Sequence, residues 1–143
     1  MTDKKYHCYI GRWQSPHLGH RYLIDMSLKE NRPVLILIRD VPTDENNPFT
    51  AKEVSKMLHT AFFDEGMKGL VKIQIIPDIA SVNYGRGVGY EINCLEDQCP
   101  EHIKRISATE IRHKIRKGDE SWTESVMAGV EPFLRAKFSD DSR

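Results

Sequence analysis

Five consecutive aliphatic residues, Val34-Leu35-Ile36-Leu37-Ile38, constrain the fold more than any other feature of the chain. A run this short, bounded by Pro33 on one side and Arg39-Asp40 on the other, suits a central parallel strand buried on both faces. Before it, the β-prone segment Tyr6-His7-Cys8-Tyr9-Ile10 stops at Gly11. A helix is expected from Gly19 to Glu30, with Tyr22, Leu23, Met26 and Leu28 mostly at helical spacing and Asn31-Arg32-Pro33 ending it. After a polar loop from Arg39 to Phe49, Thr50 and Glu53 form a capping-box pattern. Phe49 is expected to anchor that helix entry, and the helix should run through Val54, Met57, Leu58, Ala61 and Phe62 to Gly66. Val71 to Ile76 is the next strand, so the order β-α-β-α-β predicts a parallel α/β sheet with right-handed crossovers. Residues 78–100 carry no clear pattern. Ser107, with Glu110 three residues on, resembles another N-cap, and its helix should stop at Gly118. A last amphipathic helix is expected between Trp122 and Phe138, broken near Gly129 and Pro132, with Ser139–Arg143 as a frayed tail.

Composition narrows the class. The 143 residues hold 21 Lys+Arg against 21 Asp+Glu, with hydrophobic residues at 39%. That suits one domain, over residues 1–138, with a core of its own; a chain near this length buries roughly 68–70% of its unfolded surface. Zero net charge argues against bulk nucleic-acid binding. The longest apolar run is far below the roughly 20 residues of a membrane span. The opening Met1-Thr2-Asp3-Lys4-Lys5 does not lead into a signal-peptide apolar region. Cys8, Cys94 and Cys99 are odd in number and sparse. Together these suggest a reducing, cytoplasmic compartment. Cys94, Cys99 and His102 lie close in sequence but lack a C-x-x-C pair and a fourth ligand, which favours a solvated loop over a zinc site.

Chemistry concentrates in two places. Gly11-Arg12-Trp13-Gln14-Ser15-Pro16-His17-Leu18-Gly19-His20 follows the first strand and opens a helix. Ligands of parallel α/β sheets bind beyond the carboxyl ends of the strands, and helix N-termini present free N–H groups to anions. Two histidines three apart, with a glycine between them, can point imidazole donors at one phosphate while the backbone comes close. The second place is Ile106-Ser107-Ala108-Thr109-Glu110-Ile111-Arg112. It offers two hydroxyls and open amides at a helix start, with a fork-shaped cation one turn in. Arg105, Lys114, Arg116 and Lys117 make its surroundings positive. Alone, this second motif reads equally well as a capped helix with a solvated basic face. No P-loop sequence occurs, and Gly85-Arg86-Gly87-Val88-Gly89 does not match a dinucleotide fingerprint; it suits a mobile loop or a tight approach to a ligand.

H-x-G-H after the first strand, with I-S-x-T-x-x-R late in the chain, resembles the nucleotidyltransferase superfamily of adenylyl- and cytidylyltransferases. Gly11-Arg12-Trp13-Gln14 is similar to the G-R-F-Q opening of archaeal-type nicotinamide mononucleotide (NMN) adenylyltransferases. Asn47-Pro48-Phe49-Thr50, Ile76-Pro77-Asp78-Ile79 and Trp122 extend the likeness, which covers most of residues 6–135. Ser15 stands where that group has Pro, and Val54 where it often has Arg. Its central T-G-N segment is missing. In its place is Asn83-Tyr84-Gly85-Arg86-Gly87-Val88-Gly89-Tyr90, similar to a stretch of phage and bacterial cytidylyltransferase-like domains.

The resemblance implies a single-domain, Rossmann-like, doubly wound parallel sheet and transfer of a nucleoside monophosphate. An acceptor phosphate would attack the α-phosphorus of ATP or CTP and release pyrophosphate. His17 and His20 would meet the phosphates at the reacting centre. Ser107, Thr109 and Arg112 would hold the leaving group, with Gly11, Arg12 and Gly19 completing the nucleotide site. Mg²⁺ would travel with the triphosphate, with Asp40 as an outer ligand or, equally, a solvated loop residue. Arg39, Asp40, Tyr84 and Arg86 are the candidates for the acceptor, and Trp13 and Tyr84 for stacking on a ring; for Arg39 a surface ion pair with Asp40 or Glu45 is an equal alternative. His20→Ala is expected to cut turnover by about 10² with little loss of stability. ATP and NMN lead as substrates, with CTP and another phosphorylated small molecule as the alternative. A non-catalytic nucleotide-binding module is the second class. Neither nucleic acid nor membrane is an expected partner; a homo-oligomer is compatible with the sequence.

Overall fold

The computed structural model describes residues 5–139. Residues 140–143 of the expected tail lie outside the described residues, and Ser139 closes the last helix. The elements run β1 (His7–Gly11), α1 (Leu18–Leu28), β2 (Val34–Asp40), α2 (Ala51–Ala61), α3 (Phe63–Met67), β3 (Val71–Pro77), α4 (Glu101–Lys104), α5 (Ala108–Lys117), a 3-10 turn (Glu120–Glu124) and α6 (Glu131–Ser139).

The sheet is parallel with order β1-β2-β3, so the aliphatic run is central, as its pattern predicts. In register, Tyr9 stands beside Ile36 and Ile36 beside Ile73. Two successive right-handed crossovers that step in the same direction put α1 and α2 on one face. Tyr9 fixes α1 there: its hydroxyl donates to Leu23 O (3.0 Å) and lies 2.7 Å from Ser27 Oγ. Val34, Ile36 and Ile38 face that layer with no exposure at all. Leu35 and Leu37 are only partly buried, and Cys8 and Ile10 on the same side of β1 are exposed. The central strand is therefore fully buried on one face, not both. The fold is α/β and Rossmann-like. A doubly wound sheet would add strands beyond β1; among the described residues there are none, because the chain between Asp78 and Pro100 forms no strand.

Two helices differ from expectation for local reasons. The helix expected through Gly66 breaks at Phe62 (φ −111°, ψ 31°). There the phenyl ring is taken into the core beneath the Arg21 guanidinium, 4.3 Å from the ring centre. The last helix is split into the 3-10 turn and α6, with Gly129 (φ 87°) in the connection. Pro132 does not break anything. It sits in the first turn of α6, where its missing N–H has no partner to lose.

The carboxy-terminal elements close the core and brace the site. Trp122, Val126, Met127, Val130, Leu134 and Phe138 are all buried. Phe138 meets Phe49 edge-on at 6.1 Å, so Phe49 is the anchor of the α2 entry. Leu18 N donates to Ser125 O (2.8 Å), which ties the start of α1 to this layer.

Candidate active site

The site begins where β1 ends. Gly11 closes the strand, and Trp13 turns the chain inward with φ 56°, a conformation uncommon outside glycine. Its indole is 6% exposed and donates to Leu37 O (3.0 Å). Trp13 is therefore a core residue, not a stacking surface for a base. A side chain at Gly11 would meet that indole at 3.0 Å, so the strand end must stay bare. Gln14 is buried and clamps the loop before α2 from both ends of its amide. Nε2 donates to Phe49 O and Oε1 accepts from Phe49 N, each at 2.9 Å.

His17 is the N-cap of α1. Its Nδ1 accepts from Gly19 N (3.0 Å) and His20 N (3.4 Å), while His20 Nδ1 accepts from His17 N (3.2 Å). This is a capping box built from two imidazoles in place of a hydroxyl and a carboxylate. The rings stack at 3.8 Å, and Trp13 buttresses His20 edge-on at 4.7 Å. Because both Nδ1 atoms are acceptors, each neutral ring carries its proton on Nε2. Burial pulls His17 down to about 4. Burial, and then the proximity of His17, push His20 well below the usual imidazole value. At neutral pH the pair is thus two uncharged Nε2–H donors, rigidly held. Gly19 is required by space: a Cβ there would lie 2.8 Å from His17 Cε1. His20→Ala would remove half of the capping box, so a loss of stability accompanies any loss of turnover, contrary to the expectation from the sequence.

The second motif meets the first directly. Ser107 caps α5, with Oγ accepting from Glu110 N (3.1 Å), which leaves its O–H free to donate outward. Arg112 is 5% exposed. Its Nη1 donates to Gln14 O (2.6 Å), across 98 residues of sequence, and its Nη2 donates to Thr109 Oγ1 (3.4 Å). Burial lowers the pKa of Arg112, and the charges of Arg116 and Arg12 lower it further, with Asp44 opposing. Arg12 and Arg116 thus both act on Arg112, with Asp44 as the opposing carboxylate. Excess positive charge of this kind favours a polyanion. A cavity of about 530 Å³ opens beside Ser107, lined also by His102, Arg105, Glu110, Lys114 and Ser125.

Asp44 is a component that the sequence does not single out; Gln14 and Arg116 stand in the motif likeness and the basic surroundings, but their contacts are set by the fold. Asp44 Oδ1 accepts from Asn46 N (2.9 Å), Asn47 N (2.7 Å) and Asn47 Nδ2 (3.0 Å). The Asn47 backbone bond, then its side-chain bond, hold the Asp44 carboxyl below the usual carboxylate range. The spacing Asp44-x-x-Asn47 is an Asx-turn signal and was available in the sequence. The Gly11-Arg12-Trp13-Gln14 likeness marks Gln14 but not its partner Phe49, which lies 35 residues away.

The acceptor candidates divide. Arg39, half-buried at the end of β2, pairs with Asp78 (2.8 Å) and not with Asp40 or Glu45, and it also donates to Ile79 O (3.4 Å). Asp40 is exposed at the same strand end. Tyr84 and Arg86 lie in a fully exposed stretch and are not brought to the histidines. Cys94, Cys99 and His102 form no ligand cluster; among the described residues no three His, Cys, Asp or Glu side chains gather as a metal site. No helix of the described residues is long and apolar enough to cross a membrane.

No family model matches the chain. It is similar to curated proteins. A nicotinamide-nucleotide adenylyltransferase of Pyrobaculum aerophilum is 28% identical over 155 aligned residues, covering 88% of this chain and 85% of the relative. A protein of the same name from Saccharolobus solfataricus is 39% identical over 71 residues, 48% of this chain and 41% of the relative. A nicotinamide/nicotinic acid mononucleotide adenylyltransferase of Acinetobacter baylyi is 33% identical over 78 residues, 53% and 42% of the two chains. Over most of its length the chain is thus similar to adenylyltransferases, and a bond from Arg112 joins its two motifs.

Proposed function

We propose that this chain is a nucleotidyltransferase that moves AMP from ATP onto the phosphate of NMN, forming NAD and releasing pyrophosphate. The observation that carries the proposal is the Arg112–Gln14 bridge, which joins the late motif to the histidine segment in one cationic cluster. A phosphate oxygen of the acceptor attacks the α-phosphorus of ATP. The bond from that phosphorus to the bridging oxygen breaks, and pyrophosphate leaves with the electron pair. No protein nucleophile is required, so rate comes from positioning and charge neutralisation.

The residues divide that work. His17 and His20 present Nε2–H donors at the reacting phosphate, where preorganised neutral donors stabilise developing charge without first shedding water. Arg112, with two donors engaged, turns the rest of its fork to the departing phosphates beside Ser107, Thr109 and Arg12. Mg²⁺ enters as part of the ATP substrate, bound chiefly to phosphate oxygens and water, with Asp40 at the rim. Arg39 receives the acceptor phosphate by exchanging its Asp78 partner for it.

The test is pyrophosphate release with ATP or CTP against NMN, nicotinate mononucleotide and phosphopantetheine. Release with ATP and NMN is expected. Release only with CTP would replace adenylyl by cytidylyl transfer. Silence with every pair would make the chain a nucleotide-binding module.

A further inference from the structure

We propose that residues 80–94 form a lid that closes its tyrosines over the rings of the bound nucleotides. Every residue in this stretch is exposed, and its single hydrogen bond joins Asn83 to Ser81. Yet it carries Val82, Tyr84, Val88, Tyr90 and Ile92, exposed by 64, 64, 37, 64 and 57%. An apolar group of that size left in water calls for something to cover it. Val82 and Tyr84, and again Val88, Tyr90 and Ile92, alternate at the two-residue spacing that puts side chains on one face of an extended chain. Between the two runs stand Gly85, Arg86 and Gly87, and Gly87 and Gly89 adopt φ 76° and 83° with no atom near a would-be Cβ. This is a strip able to bend without obstruction.

The anchoring of its ends selects the occupant. One end leaves β3 at Asp78, held by Arg39 at the carboxyl edge of the sheet. The other enters α4, which packs on the start of α1; Ile103 O lies 3.6 Å from a Cβ built at Gly19. The strip thus starts and finishes on the rim of the histidine–arginine cluster. That cluster supplies donors and cations for phosphates but no aromatic surface, since Trp13 is buried. A nucleobase and a pyridine ring held beside it need an apolar cover, and Tyr84 and Tyr90 are the exposed aromatic residues of the strip. This inference rests on the nucleotidyltransferase proposal and deepens it.

Arg86 is the single Lys or Arg between Lys72 and Lys104, so trypsin reports on the strip. The full chain is digested alone, with NAD and with pyrophosphate, and binding of each is followed separately by thermal shift. The expected result is cleavage after Arg86 slowed at least about tenfold by NAD and not by pyrophosphate, which fills only the phosphate cluster. NAD that binds without slowing cleavage would overturn the lid and leave the adenylyltransferase proposal standing. Equal protection by pyrophosphate would overturn the role of the rings. Failure of NAD, ATP and CTP to bind would overturn both proposals. In parallel, Tyr84→Ala and Tyr90→Ala are expected to raise KM for the nucleotides about three- to tenfold each, the scale of one aromatic stacking contact. They should lower kcat less and leave the unfolding midpoint unmoved, since neither ring touches the core. KM values equal to those of the unaltered chain would refute the assignment of the tyrosines.

Discussion

Mild acid should destabilise this protein through His17. An unfolded imidazole takes up its proton below about pH 6.5, whereas the folded His17 resists protonation until about pH 4. Between those values the unfolded chain binds more protons, so stability falls as pH falls. With the ring 8% exposed, the linkage relation gives a loss of about 2 kcal/mol at pH 5 relative to pH 7.5 from His17 alone. His20 adds to the loss in the same direction. The structural cause is specific: protonating Nδ1 turns the acceptor for Gly19 N and His20 N into a donor, and the start of α1 loses its cap. Urea denaturation at pH 7.5 and 5.0 measures the effect, with His17→Asn as the comparison. Asparagine keeps a capping acceptor but does not titrate. The unaltered chain should lose at least about 2 kcal/mol more than the variant across that interval. The same loss in both proteins would refute the argument, because the carboxylates common to both would then account for all of it.

Three further outcomes follow from the site. Gly19→Ala drives a methyl group to 2.8 Å from His17 Cε1, so the imidazole must swing away; circular dichroism and turnover should show a cap loss of about 1 kcal/mol and a severe loss of activity. Arg112→Lys keeps the charge but loses the fork that spans Gln14 O and Thr109 Oγ1, and steady-state turnover should fall by about 10² or more. Gln14→Ala removes two bonds to Phe49 and leaves a buried N–H and C=O without partners, which should cost about 2–4 kcal/mol in urea denaturation.

In the proposed phosphate site, the neutrality of the two histidines has a consequence for charge. Three arginines already supply fixed positive charge. Uncharged Nε2–H donors add directed hydrogen bonds without adding repulsion among cations, and they keep their proton inventory constant across the neutral range.

What could be read from the chain alone is what depends on neighbours three or four residues apart, or on alternation along a strand. The caps at Thr50 and Ser107, the central position of Val34–Ile38 and the anchor role of Phe49 are of that kind. Even the special geometry of His17, Gly19 and His20 is local, since a capping box closes within a single helical turn. Other features needed the folded chain. Trp13 looks like a ring free to stack until the bond to Leu37 O shows it turned inward. Arg39 finds Asp78 because parallel pairing sets Asp40 beside Pro77 and so brings the two strand ends together. Asp44 and Arg12 act on Arg112 only after three separate segments converge, whereas Arg116 sits one turn along the same helix. The meeting of Arg112 with Gln14 O, 98 residues apart, is the extreme case. No periodicity records a contact at that distance; it is set by how the layers pack, and that packing brought two separate motifs together.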